Sequence, residues 1–232
     1  MTVKAYCTPA ELRTQIEKTG TTGPATDAAL TVLIKGASQL IDGYFGVKPG
    51  FFIADTLAVA RLFPGSGKSV QRIDECVAIT EVAVKDSPET AAYTVWALTD
   101  YIPYTGPADN PDFNSLPYDW LMILPTGDYS AFTSGAYSSW QGFPPHTDDL
   151  SPRQRRVPTV RVTANWGYAV DIPDAVKEAT IAISARWFKR GQSSWADAVA
   201  AAEMGQLLYN SAEFSDIKMM LNAMRAYHPP MG

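Results

Sequence analysis

The 232-residue chain is poor in the residues that most enzymes and metal sites need: it has two cysteines and two histidines. Cys7 and Cys76 lie far apart and belong to no Cys-x-x-Cys or Cys/His cluster, which excludes a disulfide framework and a zinc site. Thiols in or near packed cores are the expectation. His146 sits in a Pro-rich stretch and His228 beside Pro229 and Pro230, so a two-His metal site would require those segments to meet. No apolar run approaches the length of a bilayer-crossing helix, and the first residues lack the apolar region of a signal peptide. The expectation is a protein kept in a cytosol-like compartment, with no membrane partner.

Basic charge is missing from one long stretch. After Lys85 no Lys or Arg occurs until Arg153, and the 67 residues between carry nine carboxylates and 12 of the 26 aromatic residues. The formal net charge of -5 is concentrated there, because residues 1–46 hold four basic and four acidic groups and residues 171–232 hold six and seven. This balance excludes a nucleic-acid binder acting through bulk positive charge. With 46% hydrophobic and 19% charged residues, the chain is also not a disordered acidic tail.

Two near-motifs fail on their own residues. Gly65-Ser66-Gly67-Lys68-Ser69 resembles the end of a phosphate-binding loop, but the Gly required five residues earlier is Leu62, and an extended pattern, Val70 to Ile73, follows in place of a helix. A nucleophile elbow at Ser66 would need Gly where Pro64 stands. The acidic, aromatic middle is the one segment with the ingredients of sugar chemistry, namely carboxylate pairs and ring platforms, so a sugar-binding or glycoside-hydrolysing protein is the rival reading. No catalytic residue set, cofactor-binding motif or metal cluster emerges. Arg153, Arg155 and Arg156 suit a solvated loop or a contact to an acidic partner surface, and are too few to hold duplex DNA alone.

What is present reads as helices at both ends around strands. Thr8-Pro9-Ala10-Glu11 is a capping box with Pro at the first helical position, predicting a helix from about Pro9 to Lys18. Thr26 or Asp27 opens a second helix whose stripe is Leu30, Leu33, Ile34, Ala37, Leu40, Ile41 and Tyr44, ended by Gly43 and Gly46. From Asp55 the period becomes two: the run to Leu62, the turn at Phe63 to Gly67 and the run Val70 to Ile73 predict a hairpin. Val77 to Val84 and Tyr93 to Leu98 add to a small antiparallel sheet, with long loops from Asp100 to Asp149 around a strand at Trp120 to Leu124. Val157 to Trp166 is the last strand. Asp171 to Arg190 is a strong helix stopped at Gly191, with the stripe Val176, Ala179, Ile183 and Trp187. Ser194 to Tyr209 is Ala-rich and ambiguous.

A final helix is predicted from Ser211 or Ala212 to Tyr227. Its methionines Met219, Met220 and Met224 exceed what one helix seam needs, which suits a subunit interface as well as plain core. Neither helical end can bury its stripe alone, so the fold class is α+β: a helical bundle from both chain ends (1–46 and 171–232) with an inserted antiparallel β domain (47–170). Leu33, Leu40 and Ile41 are then expected against Ile183 and Trp187.

Particular phrases carry a resemblance. They are Tyr6-Cys7-Thr8-Pro9-Ala10-Glu11-Leu12, the second-helix set Leu33, Ile34, Ala37, Ser38, Ile41 and Asp42, and Val160-Arg161-Val162-Thr163-Ala164-Asn165-Trp166-Gly167-Tyr168. The last leads to Ile172-Pro173-Asp174-Ala175-Val176-Lys177 and to Trp187-Phe188-Lys189-Arg190-Gly191. In these the chain resembles the head-tail connector (adaptor) proteins of tailed bacteriophages, over both helical ends and the flanking strands; from Asp100 to Asp149 compact members have far less chain. The resemblance implies a non-enzymatic virion protein, assembled in the host cytoplasm and forming a ring, usually of twelve, beneath the portal protein. It implies as partners the portal, neighbouring copies of the chain, the next neck or tail component and double-stranded DNA that passes without sequence-specific binding. It also implies that the C-terminal segment docks into the portal, with Tyr227, His228, Pro229 and Pro230 as anchors. The methionines and Arg153, Arg155 and Arg156 are the candidates for inter-subunit or portal contact.

Overall fold

The computed structural model describes residues 4–18, 26–107, 109–135, 157–192, 198–200 and 207–209, together with 217, 219, 221 and 222. They form two compact units, one from residues up to Ile53 and from Asp171 onward, the other from Ala54 to Val170.

The first unit holds three helices: α1 (Pro9–Lys18), α2 (Asp27–Phe45) and α3 (Asp174–Gln192). The capping box forms as its residue types dictate. The Glu11 amide donates to Thr8 Oγ1 at 3.2 Å, and the Thr8 amide donates back to Glu11 Oε2 at 2.8 Å. Thr26 caps α2, and Gly46 closes it in the left-handed region at φ 69°, a conformation that costs a glycine nothing. α3 runs past Gly191 to Gln192, so that glycine is not the stop expected of it.

Cys7, Leu12 and Ile16 from the first segment, Leu30 and Ile34 from α2, and Ile181 and Ala185 from α3 share one buried cluster. Ile41 and Ile183 are buried, but Leu40 is 47% exposed and Leu33 only half-buried, so the buried face of α2 is turned away from Leu40. Gly36 explains the shift. A side chain there would begin 3.1 Å from the Trp187 ring, so the missing Cβ is what admits the indole against α2. Of the predicted last helix, Ile217, Met219, Leu221 and Asn222 are helical; Ile217 and Leu221, four apart, are buried. The segment left ambiguous contains a two-stranded sheet, β7 (Ala198–Ala200) with β8 (Leu207–Tyr209).

The second unit is an antiparallel sheet of β1 (Val59–Pro64), β2 (Val70–Val84), β3 (Thr94–Val95), β4 (Tyr101–Tyr104), β5 (Tyr118–Ile123) and β6 (Pro158–Trp166), in the order β1-β6-β2-β5-β4 with β3 on the far half of β2. The fold class is therefore α+β. The hairpin expected from residues 55–73 is not formed: β1 and β2 are both paired to β6, which lies between them. Val160, Val162 and Ala164 of β6 have no exposure at all, as a strand with neighbours on both sides requires, while no described strand pairs with the outer side of β1. Val77 to Val84 is not a separate strand either. It is the continuation of β2 through register shifts at 72/76, 76/78 and 79/81, and these shifts break the strict alternation that the residues suggested. β2 thus serves β5 with its first half and β3 with its second. The core around it contains Trp96, Tyr101, Phe132 and Trp166.

Candidate interaction surfaces

Free amides in the Gly-rich turn at residues 65–69 would make an anion cradle. The Gly65 amide donates to Thr159 Oγ1 at 3.0 Å, Ser66 to Gln71 Oε1 at 2.8 Å, Gly67 to the Phe132 carbonyl at 3.0 Å and Lys68 to Ser66 Oγ at 3.2 Å. These four amides are used to close the turn, and a strand follows it. A phosphate would have to displace internal partners.

The basic side chains of the second unit are similarly engaged. Arg61 lies 4.6 Å above the Trp166 ring and pairs with Asp74 at 2.7 Å. Arg161 lies 5.0 Å from the Tyr93 ring centre and pairs with Glu81 at 3.0 Å; Lys85 approaches the same ring at 5.1 Å, and Arg72 lies 6.0 Å from that of Trp120. Each such contact holds the cation close to the sheet. The described residues of this unit include five basic and eleven acidic side chains. With four of the five cations bound to rings, the described part of its surface is carboxylate-dominated.

The carboxylates divide by role. Asp100 is buried and accepts from the Ala97 amide at 2.8 Å and the Asp128 amide at 3.3 Å, so it ties a turn together. Asp112 accepts from Asn114 and Ser115, and these bonds, the Ser115 side chain first, hold its carboxyl below the usual range. Asp86, Glu89, Asp109 and Asp128 are exposed. Asp119 differs from all of these. Burial, followed at some distance by the nearby Glu75 charge, pushes its pKa up to about 6 against the opposing Gly106 amide and Arg72, and its Oδ1 has no hydrogen-bond partner. The Tyr104 hydroxyl, buried with Asp119 in its field, is also unpartnered.

A groove of about 490 Å³ lies along β2 and β4, lined by Val77, Ile79, Leu98, Tyr101, Pro103 and Tyr118 among others; none of its lining residues is a carboxylate. Among the described aromatic residues of the acidic stretch Phe113 is 40% exposed, whereas others are packed inward. Trp96 is 5% exposed and stacks on Tyr129 at 4.3 Å and on Phe132 at 5.0 Å. Among the described residues, carboxylates and ring faces are not brought together into a sugar site.

Of the residues singled out in the sequence, Met219 is described and is 72% exposed. Met220, Met224, Arg153, Arg155, Arg156, Tyr227, His228, Pro229 and Pro230 lie outside the described residues, as does His146. Asp119 with Tyr104, and the β1 edge with exposed Leu57, Val59 and Leu62, were not singled out by residue pattern. Asp119 carried a signal, as a carboxylate between Tyr118 and Trp120 in a strand. The edge carried none, because strand order is not written in a period of two.

The chain matches no protein-family profile and no curated protein. Among solved structures it is similar to a chain in the neck of an empty GTA particle computed with C6 symmetry. The two share 14% identity, the match covers 82% of this chain and 84% of that one, and the TM-score is 0.45. At that distance the likeness bears on neither activity nor partners.

Proposed function

We propose that this chain is a structural head-tail connector that assembles as a ring beneath a phage portal, extends the DNA channel and links the capsid to the tail. The observation that carries the reading is where the resemblance falls. The phrase Val160 to Tyr168 covers most of the interior strand β6 with its exit, and Ile172 to Gly191 covers the entry to α3 and nearly all of that helix, so the phrases match the segment by which the chain passes from one unit to the other. The electrostatics agree. A conduit must let DNA pass, and each free phosphate contact would add affinity and slow it. The described residues of the sheet unit, with eleven carboxylates and four of five cations held against rings, offer little for DNA to grip.

In this reading the copies number twelve, and the C-terminal segment from Ala212 docks into the portal through Tyr227, His228, Pro229 and Pro230. Met219, Met220, Met224 and Arg153, Arg155 and Arg156 serve neighbouring copies or the portal. The next neck or tail component binds below. The protein acts without a cofactor in the neck of the virion, after assembly in the host cytoplasm.

Mass photometry and negative-stain imaging of the purified chain, alone and mixed with portal, test this. Rings that form on or with portal are expected. A strict monomer that ignores portal overturns the proposal. Deletion of Tyr227 to Gly232 is expected to reduce portal binding with an unchanged circular-dichroism spectrum, and full binding by the truncated chain refutes the tail assignment.

A further inference from the structure

The two ends of the six-stranded sheet are finished differently. At one end β4 is four residues long and has Pro103 in it, which removes a backbone donor and blunts the edge. At the other end β1 is six residues long, has its proline, Pro64, only at its last position, pairs on one side only among the described residues, and exposes Val59 at 49% and Leu62 at 56%, with Leu57 at 76% just before it. Its one charged residue, Arg61, is taken up by Asp74 and the Trp166 ring. An edge that is long, apolar and without free charge is what natural sheets avoid unless another strand covers it.

A candidate strand is present in the other unit. β7 and β8 pair at three positions, Ala198 with Tyr209, Val199 with Leu208 and Ala200 with Leu207, and none of these six residues is charged. Two strands of three residues are at best marginal in water; a third strand is what makes such a hairpin hold. Within one chain this hairpin is a sheet of its own, separate from the sheet that β1 ends. Among the described residues the fold therefore carries an edge without a second neighbouring strand and a hairpin without a third, and the one charge on these strands, Arg61, is engaged within its own chain.

We infer that the β7–β8 hairpin of one copy adds to the β1 edge of a second copy, forming a continuous intermolecular sheet. The bond is made by main-chain groups, as in other strand-addition interfaces, and the apolar side chains exposed on β1 supply the burial. The edge and the hairpin are different surfaces, so the contact is head-to-tail: each copy gives a hairpin and receives one, and the chain of contacts continues until it closes. Only the closure into a ring under a portal rests on the connector reading. The pairing itself does not.

The full-length chain carrying Ala60→Cys and Leu208→Cys together tests the contact. Native Cys7 and Cys76 are buried, and burial pushes each thiol up to about 12, so they stay out of mild oxidation. Oxidation of the double variant is expected to give a ladder of covalent multimers on a non-reducing gel, and a mixture of the two single variants only a dimer. Monomer bands alone, as free thiols or as an internal disulfide, overturn the inference. Val59→Lys with Leu62→Lys keeps the test independent of cysteine geometry. Both positions are exposed, so the melting temperature should hold, while the concentration for half-assembly should rise about tenfold or more; unchanged assembly overturns the inference. Portal-bound rings without cross-links would remove this contact and leave the connector reading. Cross-links in a chain that ignores portal would do the reverse.

Discussion

In the helical unit the buried Asp42 carboxylate has both oxygens engaged, as Asp100 has in the sheet unit, whereas the sheet unit's Asp119 is left partly unanswered. Asp42 is 2% exposed; one oxygen accepts from the Tyr6 hydroxyl and the other from the Gly50 amide at 2.9 Å. The Tyr6 hydroxyl accepts in turn from the Phe52 amide at 3.3 Å, and the Tyr6 amide donates to Ser38 Oγ at 3.1 Å. One network thus fastens the segment before α1 and the segment after α2 onto α2 itself. Burial still holds the Asp42 carboxyl above its ordinary range, against the pull of Tyr6 and Gly50. Asp119 has the Gly106 amide but nothing on Oδ1, and Glu75 adds a like charge. A full set of partners makes a buried carboxylate a fastening; a partial set makes it a reserve of unfavourable energy at neutral pH.

The largest effect expected from breaking this contrast is at Asp42. Asp42→Ala leaves the Tyr6 hydroxyl and the Gly50 amide buried without their acceptor, at about 3 kcal/mol for the two groups. Tyr6→Phe, which orphans one carboxylate oxygen, should cost about 2 kcal/mol. Urea denaturation followed by circular dichroism reads both, and a loss under about 1 kcal/mol for Asp42→Ala would show that the network is not the fastening described.

Asp119 should respond with the opposite sign. The folded protein holds this proton up to a pKa of about 6, while the unfolded chain releases it near 4. Between those values the folded state binds more protons, so stability falls as pH rises, and the contribution is fully present only below about pH 4. Asn at this position keeps an acceptor for the Gly106 amide and carries no charge. Asp119→Asn is therefore expected to stabilise by about 1–2 kcal/mol at pH 7.5, the full shift being discounted for partial exposure, and to make no difference at pH 4. Melting temperatures across that range decide it: parallel curves for the two proteins would mean that Asp119 is already satisfied in solution.

The same contrast explains what could be read from the residues alone. The helices were legible because their determinants are local: the Thr8 and Glu11 cap, the three-four stripe of α2, and the carboxylates that open α3. The strands were legible as strands, but not as neighbours. β1 and β2 follow one another across a Gly-rich turn, yet β6, nearly a hundred residues later, takes the place between them. That choice is made by burial of Val160, Val162 and Ala164 and by the indole of Trp166, which receives Arg61 on its face and donates to the Val59 carbonyl at 2.6 Å. Aromatics in the acidic stretch suggested a surface, but Trp96, Tyr129 and Phe132 are packed into the sheet's core, because composition does not tell a platform from a filling. Asp119 follows the same rule: the orphaned oxygen depends on which groups the loop at Gly106 brings near, and no spacing in the sequence announces it.

The smallest effects are expected where polar contacts of the two units are open to water. On α1, Thr8→Ala removes the acceptor of the Glu11 amide and one donor to Glu11, and should cost about 1 kcal/mol, the usual value for a helix cap. In the sheet unit, Glu81→Gln breaks the pair with Arg161, whose side chains are 34% and 36% exposed. Here the loss should be no more than about 0.5 kcal/mol, since an exposed pair gains little over its hydration and Arg161 keeps its seat over the Tyr93 ring. Salt separates the two cases. The cap is a short-range hydrogen bond and its cost should persist in 1 M NaCl, whereas the already small cost of Glu81→Gln should vanish there by screening. A Glu81→Gln loss above about 1.5 kcal/mol that survives high salt would mean that the Arg161, Glu81 and Tyr93 group is a fastening of the same kind as Asp42, and the difference drawn between the two units would then hold for Asp119 alone.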